Sequence, residues 1–170
     1  MLALLNEPGF IRNIADRGVR SEDDARAYLA TGPAASYAKH GYGMWAVEMK
    51  PGGELAGVCG LVRRDFLEHA DIGYAFLPAW RGRGLAREAG RLALDHGLRV
   101  IGLPRVLAIV TEANAGSRRL LEALGLRNQG PRRVGGGSCP QFNAQPLDVT
   151  GHWYSPSLAG FGYSYQVTGG

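Results

Sequence analysis

Trp80-Arg81-Gly82-Arg83-Gly84-Leu85-Ala86 is the stretch whose reading decides this chain. It lies between an apolar, strand-like run, Asp71-Ile72-Gly73-Tyr74-Ala75-Phe76-Leu77, and a helical pattern that begins near Leu85. A strand, a turn rich in glycine and arginine, and a helix N-terminus, in that order, can grip phosphate. Glycine lets the backbone come close to a ligand. The first N–H groups of a helix have no partner inside it and sit at the positive end of its dipole, where an anion is stabilised. Arg81 and Arg83 add charge at the same place.

The turn is neither of the two commonest phosphate loops. A P-loop needs a lysine that is absent here. A dinucleotide fingerprint needs a third glycine where this chain has Arg87. Arg81, Gly84 and Ala86 instead resemble the Arg/Gln-x-x-Gly-x-Gly/Ala motif of the GNAT acetyltransferases. A second block supports the resemblance. The strand Val106–Val110 is followed by an Asn114-x-x-Ser117 step into a helix that ends in Leu124-Gly125-Leu126. The wording around residues 11–18 and 57–61 is similar to the ribosomal-protein N-acetyltransferase branch of that superfamily.

The resemblance implies acetyl-coenzyme A as co-substrate. Its pyrophosphate would lie on Arg81, Gly82, Arg83, Gly84, Leu85 and Ala86, mainly on backbone N–H groups. Its pantetheine arm would pair with the backbone at Phe76 and Leu77 and bond Asn114. Read from the residues alone, Asn114 is a helix N-cap. Ser117 is either a solvent-facing helix serine or, as the resembling branch implies, the hydroxyl that protonates the departing coenzyme A thiolate. A backbone N–H near Phe76 or Leu77 would polarise the thioester oxygen. The acceptor implied is a primary amine, on a protein N-terminus or a small molecule.

That amine is mostly charged at pH 7, so a base is expected. Glu68, His69 and Asp71, just before or at the start of the third strand, are candidates, and Glu112 is a further one. Each also has a plain reading as a surface or turn residue. His40, His69, His96 and His152 are too scattered to form a metal site with Cys59 or Cys139. The two cysteines build no disulfide framework, which makes the cytoplasm the default location.

The chain has 170 residues, 45% hydrophobic and 20% charged, as expected of one globular domain. No apolar run is long enough to span a bilayer, and Met1–Leu5 lacks a signal peptide's basic flank. The net charge of +4 suits an anionic partner. Coenzyme A suffices, and nucleic acid is disfavoured because the arginines form no dense stripe with interleaved aromatics.

Along the chain, Ser21-Glu22-Asp23-Asp24 is a capping box that opens a helix to about Leu29, with Thr31-Gly32-Pro33 as its stop. Met44–Met49 and Leu55–Arg63 read as a hairpin about Pro51-Gly52-Gly53, and Asp71–Leu77 as a third strand. Leu85, Ala89, Leu92, Ala93 and His96 define a buried helix face, with Gly97 as C-cap. Leu120, Leu121 and Leu124 do the same for the next helix. This order predicts a mixed α/β fold, a central, largely antiparallel twisted sheet flanked by helices.

Two departures from the family pattern stand out. The family's opening strand is not evident, so residues 1–133 read as a GNAT-like domain without it. From Val134 onward the only charged side chain is Asp148, which marks 134–170 as a divergent Gly/Ser/Pro-rich tail that contributes a last strand at most, over Phe161–Val167. An aromatic tail of this kind leaves a homodimer open. These departures also leave open a second reading, a coenzyme-binding or interaction module without catalysis.

Overall fold

The computed structural model describes residues 1–134 and 160–168, with side chains through Gln129. The expected features between 135 and 159, Cys139 and His152 among them, lie outside the described residues. Four short helices come first: α1 (Leu2–Leu5), α2 (Pro8–Asn13), α3 (Glu22–Leu29) and α4 (Ala35–His40). Strands β1 (Met44–Glu48), β2 (Leu55–Val62) and β3 (Asp71–Phe76) follow. Then come α5 (Leu85–Asp95), β4 (Arg105–Val110), α6 (Ala115–Ala123), β5 (Arg127–Val134) and β6 (Gly160–Thr168).

The strands form a six-stranded sheet in the order β1-β2-β3-β4-β6-β5. Its neighbours are antiparallel except β3 with β4, which run parallel. The fold is therefore the mixed α/β, largely antiparallel sheet that the order of signals predicts.

Side chains alternate across a strand, and among the described residues a core lies on each face of the sheet. On one face Cys59, Leu61, Ile72, Val106, Ala108 and Val110 pack against Ala93 and Leu94 of α5 and Leu121 of α6. On the other, Met44 and Val58 meet Leu4, Leu5, Phe10 and Ala25 of the N-terminal helices and Val19 between α2 and α3. The N-terminal segment thus supplies most of the second core. Cys59 is buried, which pushes its thiol up to about 12 and leaves it unreactive.

Local chemistry explains most of the boundaries. Ser21 Oγ accepts the Asp24 N–H at 3.1 Å while the Asp24 carboxylate accepts the Ser21 N–H at 2.9 Å. This reciprocal pair starts α3. Glu7 caps α2 through the Phe10 N–H at 2.9 Å, and Pro8 takes the first helical position, where a missing N–H costs nothing.

Three expectations are corrected. The chain does not stop at Thr31-Gly32-Pro33 but passes through a widened π-type turn, Ala30–Ala34, into α4. Proline brings no N–H to a helix, and a widened turn absorbs that lost bond without ending the spiral. Leu92 is 65% exposed, because the face of α5 that meets the sheet runs through Gly90, Ala93, Leu94 and Gly97. Gly97 is not a C-cap: a Cβ there would come within 2.6 Å of Leu61 Cδ1, so its role is close approach of the helix end to the sheet.

Candidate active site

β3 and β4 pair at one register position, Asp71 with Leu107, and the Leu107 N–H donates to Ala70 O at 2.8 Å. Toward their C-terminal ends the two parallel strands part. A cleft of about 570 Å³ opens there, lined by Ile72, Tyr74 and Phe76 of β3 and by Ala108 and Ile109 of β4. The first turn of α6, the 80–87 turn and α2 close its sides.

The backbone of β3 is aimed at this opening. The Leu77 N–H donates to Ala56 O at 2.9 Å, which makes Leu77 and Ala56 a hydrogen-bonded pair. Bonding alternates along an antiparallel ladder. Phe76, opposite Gly57, therefore turns its N–H and C=O away from β2 and toward β4, as Tyr74 does opposite Cys59. Ala70 obeys the same alternation, and its carbonyl meets Leu107. Beyond Asp71 no further β3–β4 register pair forms, so the Phe76 N–H faces the cleft, while its carbonyl is taken by Arg81.

Of the two N–H groups expected to polarise a thioester, Leu77's is spent on Ala56 while Phe76's faces the opening. Leu77 itself does not line the cleft, and its side chain packs on the N-terminal helices.

The turn at the mouth has the conformation its glycines predict. Gly82 and Gly84 sit at φ +72° and +80°, in the left-handed region that glycine occupies without strain. Gly84 is the N-cap of α5, and its carbonyl accepts the N–H groups of Arg87 and Glu88. The N–H groups that precede them are left over by the helix. Gly82, Gly84, Leu85 and Ala86 all line the cleft.

The arginines behave differently from expectation. Arg81 turns back, donating from Nε to Phe76 O at 2.8 Å and from Nη2 to Glu7 at 2.5 Å. It lines the cleft as a brace between strand, turn and α2 rather than as a free phosphate ligand. Arg83 lies outside the lining, with its guanidinium 4.8 Å from the centre of the Trp80 ring. Glu7 has no sequence signal beyond its capping position, yet it is the other half of this brace. Burial pushes its carboxyl upward, but bonds from Arg81 and from the backbone of Gly9 and Phe10 outweigh that and hold it below its ordinary value.

Across the cleft, Asn114 Oδ1 accepts the Ser117 N–H at 3.0 Å, the N-cap its residue type predicts. Both side chains line the cleft. Ser117 Oγ is 2.5 Å from the Tyr74 hydroxyl. Sequence reading placed Tyr74 only within a strand. Its even spacing with Ile72 and Phe76 was the available signal.

The base candidates are not gathered here. Glu68 is 85% exposed, with its carboxylate 4.0 Å from His69 Nε2, and neither lines the cleft. Glu112 is exposed and outside it as well. Asp71 is wholly buried at the closed end of the β3–β4 pair, where its Oδ1 accepts a bond from Arg64 Nε at 2.8 Å. Burial raises its pKa to about 7 against the opposing pull of Arg64.

The sequence profile of the Acetyltransferase (GNAT) domain matches residues 1–127. The chain belongs to the GNAT acetyltransferase family. It is 33% identical over 89 residues to the uncharacterized protein YkkB of Bacillus subtilis (strain 168), covering 51% of this chain and 52% of that one.

It is 32% identical over 79 residues to the spermidine N(1)-acetyltransferase of Escherichia coli (strain K12), covering 46% of this chain and 42% of the relative. The chain thus matches about half the length of these curated relatives. Its fold is similar to the crystal structure of ribosomal-protein-S5-alanine acetyltransferase from Vibrio fischeri. That match has a TM-score of 0.64 at 16% identity and covers 98% of this chain and 86% of that one. No helix among the described residues is long and apolar enough to cross a membrane.

Proposed function

We propose that this chain transfers the acetyl group of acetyl-coenzyme A directly to a primary amine, with no covalent enzyme intermediate. The observation that carries the reading is one cleft in which the C-terminal end of β3, beyond its one register pair with β4, lies beside a glycine-rich helix N-terminus. The N–H groups of residues 82–86 would take the pyrophosphate. The edge of β3 at Tyr74 would take the pantetheine arm, with Asn114 beside it. The Phe76 N–H would support the charge that develops on the thioester oxygen. Holding thioester and amine in register is worth about 7–11 kcal/mol where the geometry is good. Ser117, whose Oγ lines the same cleft, would hand its proton to the departing sulfur.

The lining also bears on the amine. Among the described residues it holds no carboxylate or imidazole, and it does hold Arg81 and Arg87. A polyamine or lysine amine near 10.4 is less than about a thousandth neutral at pH 7, whereas an α-amine near 8 is already about a tenth neutral. This favours a peptide N-terminus over a polyamine. The V. fischeri neighbour is named for an alanine of a ribosomal protein, and the E. coli relative for spermidine.

Thermal unfolding with and without acetyl-coenzyme A tests the first half. A ligand at about 100 times its Kd stabilises the native state by about 2.7 kcal/mol, so the midpoint should rise clearly. Thiol release with an alanyl peptide and with spermidine tests the second half, and the peptide should turn over faster. A midpoint that does not move contradicts acetyl-coenzyme A binding. A rise without thiol release from any amine supports the non-catalytic module instead.

A further inference from the structure

The geometry points to Tyr74 as a positioning residue that acts on the leaving sulfur through Ser117. This inference rests on the acetyl-transfer reading and adds to it the source of the proton. The two hydroxyl oxygens are 2.5 Å apart, one on β3 and the other in the first turn of α6. Both side chains line the cleft between the parted strands.

Ser117 is held from a second side, because its N–H is bonded to Asn114 Oδ1 at 3.0 Å. The helix start therefore fixes where the Ser117 oxygen lies, and the phenol decides which way its hydrogen points. A phenol is a stronger acid than an alkyl hydroxyl, so in this pair Tyr74 donates and Ser117 accepts. The Ser117 hydrogen is then left to point into the cleft.

The acidities explain why the pair outperforms a serine alone. A thiol titrates near 8.5 and a phenol near 10, a gap of about 1.5 units, whereas an alkyl hydroxyl is a far weaker acid than either. A proton drawn from a lone serine would leave an alkoxide. Drawn through Ser117 from Tyr74, it leaves a phenolate.

The transfer balances as follows. The amine nitrogen bonds the acetyl carbon, the carbon–sulfur bond breaks and its electron pair stays on sulfur. Sulfur takes the Ser117 proton and Ser117 takes the Tyr74 proton. The surplus proton of the acylated amine passes to solvent, which restores the phenol.

The test uses Tyr74→Phe, Ser117→Ala and the double variant in the full chain, with two readouts. The first needs no amine: the pH titration of thiolate absorbance of bound coenzyme A. A donor pair at the sulfur favours the charged form, so the bound thiol should titrate roughly one unit lower in wild type than in either single variant. The double variant should match Ser117→Ala, since Tyr74 acts only through that oxygen.

The second readout is thiol release with an alanyl peptide as amine. Tyr74→Phe should lower kcat about tenfold and leave KM for acetyl-coenzyme A within about twofold. A purely structural tether would change the unfolding midpoint but neither titration nor kcat.

A bound thiol that titrates alike in wild type and Tyr74→Phe overturns the proposal. So does a double variant whose loss is the product of the two single losses. Wild type whose midpoint acetyl-coenzyme A does not raise overturns the underlying reading, and the role of Tyr74 falls with it. A raised midpoint with unaltered titration sinks the Tyr74 proposal alone.

Discussion

At the start of β3, Asp71 is in register with Leu107 of β4, and its carboxylate is buried against Arg64. At the other end, Phe76 has no β4 partner, and its N–H faces a cleft. The closed end uses a costly device, a buried ion pair, at the point where the two parallel strands hold together. The open end has no β4 register pair, which is normally a liability, and under the proposed function it would meet the co-substrate. One strand is thus an anchor at one end and, under the proposed function, a binding edge at the other. An ionisable residue at the anchor is not a catalytic candidate by reason of its perturbed pKa alone.

The sharpest way to break the comparison is to damage the anchor and leave the edge intact. Arg64→Leu leaves an uncompensated buried carboxylate. It should cost about 3–5 kcal/mol in denaturant unfolding at pH 8, and less at acid pH, where Asp71 neutralises. The folded fraction should still gain stability from acetyl-coenzyme A. A loss under about 1 kcal/mol would mean that the pair does not hold the closed end.

Gly84→Glu is the reciprocal change. Its Cβ points into open space, so the fold should lose only the cost of a non-glycine at φ +80°, about 1–2 kcal/mol. The added carboxylate sits where phosphate is expected, and the coenzyme-induced rise in midpoint should vanish.

A smaller effect separates the ends by pH. Asp71 has a folded pKa of about 7, above its ordinary 3.8, so the native state holds this proton more tightly than the unfolded chain does. The stability it contributes is complete below about pH 4 and is lost as pH rises through 7. Asp71→Asn should flatten stability across that window, as followed by urea midpoints at several pH values. A slope that persists in the variant assigns the titration elsewhere.

The smallest effect is expected from Glu7→Gln. Glutamine keeps the cap on α2 but loses the charge on Arg81, whose side chain is 47% exposed. Stability should fall by about 1 kcal/mol or less, while acetyl-coenzyme A affinity falls severalfold because the turn loses its brace. Unchanged affinity would show that the turn holds its shape without the brace. Because Glu7 titrates below its ordinary 4.5, the wild-type brace should survive until the pH drops through that lowered value.

How much of this was legible in the sequence depends on distance along the chain. The first four strands, the Ser21 cap, the glycine turn and the Asn114 cap are local chemistry and are found where the sequence places them, whereas β5 carries no signal that the sequence reading used. The parting of β3 and β4 is a matter of non-local pairing, and no residue type announces it. The use of Arg81 could not be read, because its partner Glu7 is 74 residues away. The same holds for Tyr74, which meets a serine 43 residues later. Leu92 was misplaced because apolar spacing alone fits two overlapping faces of α5, and contact with the sheet selects the one through Ala93 and Leu94.

The central claim is that the parted end of β3 and the turn after it form the acetyl-coenzyme A site. Residue-resolved amide hydrogen exchange, with and without acetyl-coenzyme A, tests this most directly. The account predicts new protection at Tyr74, Phe76 and residues 82–86, with Asp71 and Leu107 unchanged. Protection confined instead to the groove between Trp45 and His96 on the far side of α5, or no protection at all, would contradict it.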